Sequence, residues 1–128
     1  MDYEQFNQFC GGLKATTHVV QWGNSHVWKV GGKVFAIGGW SKKNDQPAFT
    51  FKSSPLNYEF LSQCEGYIPA PYFATRGMKW IQQTDTTGHL DEDLKYYLSE
   101  SYRLVALGLS QRKRNELGIV LENRNAET

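Results

Sequence analysis

The chain carries only two cysteines, Cys10 and Cys64, in 128 residues, too few for a disulfide framework. Both fall on the apolar side of an expected helix, where free cysteine packs as a small hydrophobe. Neither sits in a C-x-x-C motif or beside cations that would activate a thiolate. The three histidines, His18, His26 and His89, lack the i, i+4 spacing of paired metal ligands. Gly31-Gly32-Lys33 lacks the spacing and the following helix of a phosphate-cradling loop, and no nucleophile elbow occurs. These absences read as no enzyme, no metal and no cofactor. No apolar run approaches membrane-spanning length. Met1-Asp2-Tyr3-Glu4 lacks the basic start and apolar stretch of a signal peptide, so the reading is cytoplasmic. A net charge of +1 excludes a protein that coats a polyanion with its whole surface.

What is present points to one packed domain. Apolar residues make up 40% of the chain and aromatics 14%, enough for a core without staples. Charge is segregated along the chain. From Trp28 to Trp80 the seven cations Lys29, Lys33, Lys42, Lys43, Lys52, Arg76 and Lys79 face Asp45, Glu59 and Glu65. From Asp85 to Glu100 five acids face Lys95 alone.

Asp2 with Gln5 forms a capping-box signature. Tyr3, Phe6, Phe9, Cys10 and Leu13 follow at helical spacing. Thr16 to Trp22 reads as a strand turning at Gly23-Asn24-Ser25. The central feature is Gly31-Gly32, a pair able to take φ > 0 at both positions of a primed hairpin turn. That turn sets Val30 opposite Lys33, Trp28 opposite Phe35 and His26 opposite Ile37. Trp28, Val30, Phe35 and Ile37 then share one face, with Val27, Lys29, Val34 and Ala36 on the other. Gly38-Gly39 is expected to bend the chain beside Trp40 before the polar loop Ser41 to Gln46. Pro47 to Lys52 resumes alternation. Ser54-Pro55 starts a second helix with Leu56, Phe60, Leu61 and Cys64 as its buried stripe. Tyr67 to Phe73 is extended but holds two prolines, which confines it to an edge, a bulge or a place outside the sheet. Met78 to Gln82 is a further strand, and Leu90 to Leu109 is the longest helix. The fold class is α+β, a single antiparallel sheet of about five to six strands with helices packed on one face. The domain is expected over 1–118, with 119–128 a frayed polar tail.

Several of these stretches together resemble the MmcQ/YjbR family. They are Trp22-Gly23, Val30-Gly31-Gly32-Lys33-Val34-Phe35-Ala36, Lys52-Ser53-Ser54-Pro55, Gly66-Tyr67-Ile68-Pro69-Ala70-Pro71-Tyr72, Trp80, and Ser101-Tyr102-Arg103-Leu104-Val105. They occur in the family's order over most of the chain. The resemblance implies a frataxin-like (CyaY-like) fold described as a double-wing DNA-binding arrangement, in a bacterial protein. Frataxins have an acidic first helix and adjacent strand. Here that helix offers only Asp2 and Glu4, and Thr16 to Trp22 holds no acid, so iron handling is not carried over.

Two candidate sites follow. Lys29, Lys33, Lys42, Lys43, Lys52, Arg76 and Lys79 could track a phosphate backbone, with Trp40 exposed for stacking, making a non-catalytic DNA-binding surface. The bland alternative is that strand lysines blunt sheet edges and keep the domain soluble. Trp22, Pro69, Pro71, Tyr72, Trp80 and Tyr102 could instead line a cleft for a small ligand or an unidentified protein, or simply fill the core. Arg112-Lys113-Arg114 could add phosphate contacts or cap a helix C-terminus.

Overall fold

A computed structural model describes residues 1–85 and 87–121. Helix α1 (Tyr3–Gly11) leads into four strands, β1 (Thr16–Gln21), β2 (Ser25–Val30), β3 (Lys33–Ser41) and β4 (Gln46–Lys52). Helix α2 (Pro55–Leu61), strand β5 (Tyr67–Pro69), the single turn α3 (Pro71–Ala74) and strand β6 (Trp80–Gln83) follow. Helices α4 (Asp91–Leu107) and α5 (Gln111–Leu117) close the chain. One six-stranded antiparallel sheet results, ordered β1-β2-β3-β4-β6-β5. The short helices α3 and α5 lie outside the element order read from sequence.

The expected caps form. Asp2 accepts from the Gln5 amide at 2.8 Å while the Gln5 side chain accepts from the Asp2 amide at 3.0 Å. Such a reciprocal pair satisfies two otherwise orphaned donors. Asp2→Ala is expected to cost about 1 kcal/mol and lower the melting temperature by roughly 3–5 °C, read by thermal denaturation. Ser54 caps α2 through the Asn57 amide, with Pro55 in the first helical position.

The Gly31-Gly32 hairpin forms as expected. Both glycines have positive φ, +59° and +82°, and Val30 pairs with Lys33. The register beyond differs from the sequence reading. Lys29 pairs with Val34 but Trp28 pairs with Ala36, so Phe35 is an extra, unpaired residue. This β-bulge shifts every later pair by one, and His26 meets Gly38 instead of Ile37. Trp28 and Phe35 still share the helix-covered face, where Phe35 packs edge-on against Tyr102 of α4 and Trp28 donates to Asn7 of α1. Ala36 joins that core while Ile37 turns to the other face. The ladder gap at Phe35 is closed by α4. The Ser101 hydroxyl donates to the Phe35 carbonyl at 2.6 Å and accepts from the Lys52 amide at 2.8 Å.

Gly38-Gly39 does not interrupt the strand; β3 continues through both, paired with Phe49 and Ala48. A Cβ at Gly38 would lie 2.7 Å from the Phe6 ring, and one at Gly39 would lie 2.9 Å from the Ser25 hydroxyl. The glycines admit close neighbours on opposite faces, which is the alternative use of glycine within a strand. Helices α1 and α4 bury one sheet face, with Phe6, Cys10, Phe35, Phe49, Phe51, Ile81, Leu94 and Leu98 in the core. Burial pushes the Cys10 thiol far above its usual range. Cys10 is therefore expected to resist DTNB in the native protein, while both cysteines react in denaturant. Helix α2 departs from expectation, because Leu56 and Phe60 are 74% and 60% exposed. This seven-residue helix sits at the β5–β6 margin and reaches the core only through Leu61 and part of Tyr58. Ile119 also packs into the core; the tail over 122–128 lies outside the described residues.

Candidate nucleic-acid interface

The face of the sheet away from α1 and α4 is only partly covered. Alternation along the strands places Val27, Ile37, Gly39, Thr50, Trp80 and Gln82 on it. At its β6 margin the chain leaves β5 through Pro69-Ala70-Pro71. The second proline opens α3 instead of extending the strand, because its fixed φ suits the first helical position. Phe73 of α3 stacks on Trp80 at 4.6 Å with planes 12° apart, which pins the turn over β6.

Between this turn and the β3–β4 hairpin end lies an open groove of about 420 Å³. Its floor is Ile37, Gly39, Ala48, Thr50 and Gln82, with the Gln82 amide donating to Thr50 Oγ1 at 3.2 Å. One wall is Ser41, Lys42 and Lys43; the other is Pro71, Tyr72 and Phe73. Tyr72 is 61% exposed and carries the Arg76 guanidinium 4.8 Å above its ring. No acidic residue lines the groove. Trp40 borders it from the end of β3. Its place between Gly39 and Ser41 turns the indole to the other face of the sheet, where it stands exposed with Pro47 as its strand partner. Ser25 joins the floor from the start of β2, next to the β1–β2 turn. There Trp22, Gly23 and Asn24 all have positive φ, a costly backbone for a bulky residue that leaves Trp22 61% exposed at this end of the sheet.

The structure thus joins parts of the two candidate sets and divides each. Trp40, Lys42, Lys43, Pro71 and Tyr72 meet at the groove, with Arg76 held on Tyr72. Lys33 stands at the opposite end of the nine-residue β3, roughly 26 Å away at about 3.3 Å per residue. Lys29 is paired near that end, and Lys52 ends β4 on that side. Lys79 lies 5.1 Å over the Tyr58 ring, beside α2. Pro69 pairs with Ile81 at the sheet edge, and Trp80 is buried under Phe73. Tyr102 lies across the sheet in the core, its hydroxyl donating to the Lys14 carbonyl at 2.6 Å. Arg114 caps α4 by donating to the carbonyls of Ala106, Leu107 and Leu109, and Arg112 pairs with Glu116 on the surface of α5. Thr50, Gln82 and Phe73 are groove residues the sequence reading did not single out. The alternation of β4 already marks Thr50 as opposite in face to Phe49 and Phe51.

Among the described residues no helix is long and apolar enough to cross a membrane. The sequence model of the family described as YjbR matches residues 11–104, well over half the chain. The crystal structure of Deinococcus radiodurans protein DR2400, whose domain is DUF419, superposes with a TM-score of 0.78 at 21% sequence identity. The alignment covers 98% of this chain and 93% of that one. No curated protein matches the chain.

Proposed function

We propose a function for this chain as a member of the YjbR family, to which it belongs: it is a non-catalytic domain that binds single-stranded DNA in the groove between the β3–β4 hairpin and α3. The observation that carries this reading is the convergence of Lys42, Lys43 and Arg76 with the exposed Tyr72 ring around an acid-free groove. Single strands are held by cationic tracks that follow phosphates and by aromatic faces on which bases stack. Lys42, Lys43 and Arg76 supply the track, and Tyr72, on which Arg76 rests, supplies the face. A groove of about 420 Å³ suits unstacked bases, whereas a duplex needs a far wider seat. The lining contains no histidine, cysteine or carboxylate to act as a base beside Ser25, Ser41 or Thr50, which favours binding over catalysis.

The test is fluorescence anisotropy with a labelled thymidine oligonucleotide over a salt series. Wild type is expected to bind at low salt and weaken steeply as salt rises. Tyr72→Ala is expected to lose about 1–3 kcal/mol of binding, the scale of one stacked base. No binding at low salt overturns the proposal. A second reading rests on the groove volume, which also lies in the range of small-molecule pockets. In that reading Pro71, Tyr72 and Gln82 hold a small ligand, and affinity for it shows little salt dependence.

A further inference from the structure

On the opposite, helix-covered face, the β1–β2 hairpin brings two histidines into contact. His18 pairs with Trp28 and His26 with Val20, so the histidines are diagonal neighbours on one face. Their rings are near-parallel, with planes 17° apart and centroids 5.3 Å apart, and meet nitrogen to nitrogen, His18 Nε2 lying 3.1 Å from His26 Nδ1. Aromatic neighbours flank both rings. Trp28 packs on His18 at 4.9 Å, and Tyr3 of α1 packs on His26 at 5.1 Å.

The polar partners orient the lone pairs. Indole nitrogen only donates, so the 2.9 Å contact from Trp28 Nε1 makes Asn7 Oδ1 its acceptor. The Asn7 amide nitrogen then faces His26 Nδ1 at 3.4 Å, which makes that ring nitrogen an unprotonated acceptor. His18 Nε2 therefore donates the hydrogen shared by the two rings. His18 is exposed and His26 half-buried, so solvent reaches the pair.

We propose that His18 Nε2 and His26 Nδ1 chelate one borderline divalent transition ion, of the Zn²⁺, Ni²⁺ or Cu²⁺ class, on the β1–β2 hairpin. Imidazole suits these metals. With metal–nitrogen bonds of about 2.0–2.1 Å, two nitrogens 3.1 Å apart subtend roughly 100° at the ion. That angle lies between tetrahedral and octahedral coordination. The line between the nitrogens is too short to hold an ion at those bond lengths, so the ion sits to one side of it. The exposed His18 ring turns to aim Nε2 at the ion and moves its proton to Nδ1, and the Asn7 amide gives up its contact with His26 Nδ1. The remaining positions face solvent and are filled by water. The ion would tie edge strand β1 to β2, away from the groove on the other face.

The test is calorimetric titration with Zn²⁺ and with Cu²⁺, on a chain carrying no appended histidines, with Cu²⁺ electron paramagnetic resonance alongside. Expected are one ion per chain, nitrogen hyperfine coupling from two imidazoles, and affinity lowered at least about 10–100-fold by His18→Gln or His26→Gln. That range is the scale seen when even an outer partner of a ligating imidazole is lost. His89→Gln is expected to bind as wild type. His18 is exposed and its replacement leaves the core intact; the wild-type spectrum stands independently of any variant. Absence of Zn²⁺ and Cu²⁺ binding, spectra without imidazole nitrogen, or affinity unchanged in His18→Gln overturns the proposal.

Discussion

Reversing the three cations at the groove, by Lys42→Glu, Lys43→Glu and Arg76→Glu together, is expected to abolish single-stranded DNA binding at all but the lowest salt. All three side chains are exposed, and among the described residues none forms an ion pair that the fold would lose. The melting temperature should therefore move by only a few degrees. Neutralising the same three residues with glutamine is gentler and more diagnostic. Each lost phosphate contact removes about 0.7 from the slope of log affinity against log salt for a single strand. Three contacts predict a slope shallower by about 2. The matched control is Lys29→Gln with Lys33→Gln, at the far end of β3. Those lysines are separated from the groove by most of a nine-residue strand, so the control should leave the slope nearly unchanged. Equal effects from both sets would mean diffuse attraction and no groove.

The second large effect concerns the fold. Ser101→Val is expected to cost about 2–6 kcal/mol, lowering the melting temperature by roughly 6–25 °C. The serine hydroxyl answers two backbone groups that the bulge at Phe35 leaves outside the β3–β4 ladder, the Phe35 carbonyl and the Lys52 amide. Ser101 is fully buried. Valine fills the site with apolar carbon, one heavy atom more than serine, so both groups lose their partner, water is excluded and any crowding adds to the cost. An unsatisfied buried donor or acceptor costs about 1–3 kcal/mol, and two together give the stated range. Ser101→Ala should cost less, because the space left by the hydroxyl can admit a water to the same two groups. Chemical denaturation of the three proteins gives the ranking. A melting temperature for Ser101→Val within a degree or two of wild type would contradict this account of the bulge.

These two regions differ in how far they could be read from sequence. The hairpin at Gly31-Gly32 was legible because two adjacent positive-φ positions leave glycine the natural choice, and the caps at Asp2 and Ser54 were legible because they are local. The bulge was not. Val34, Phe35, Ala36 and Ile37 are all apolar, so moving one residue between faces leaves the pattern equally acceptable. Only the contacts of Phe35 with Tyr102 and Ser101, more than sixty residues on, select the observed register. The stripe proposed for α2 failed for a related reason. Helical spacing says that Leu56, Phe60 and Leu61 are neighbours on the helix, but not that a short helix at a sheet margin has enough surface opposite to cover them.

The groove was legible only in halves. Lys42 and Lys43 were marked by charge, and Pro71 and Tyr72 by proline and aromatic content, as members of two rival sites. They become one site because β6 inserts between β4 and β5, carrying the α3 turn beside the β3–β4 hairpin. Nothing local encodes that insertion. The pairing of His18 with His26 was equally hidden. Their spacing fits no helical ligand motif, and only the cross-strand register of β1 and β2 brings the rings together.

The central claim is that the groove is where the protein meets its ligand, and nuclear magnetic resonance tests it most directly. A titration of the labelled protein with a short thymidine oligonucleotide at low salt is predicted to shift the amides of Lys42, Lys43, Thr50, Tyr72, Arg76 and Gln82, and to leave those of Lys33 and α4 in place. Shifts centred on the Gly31-Gly32 turn or on the helices, or no shifts at all, would contradict it.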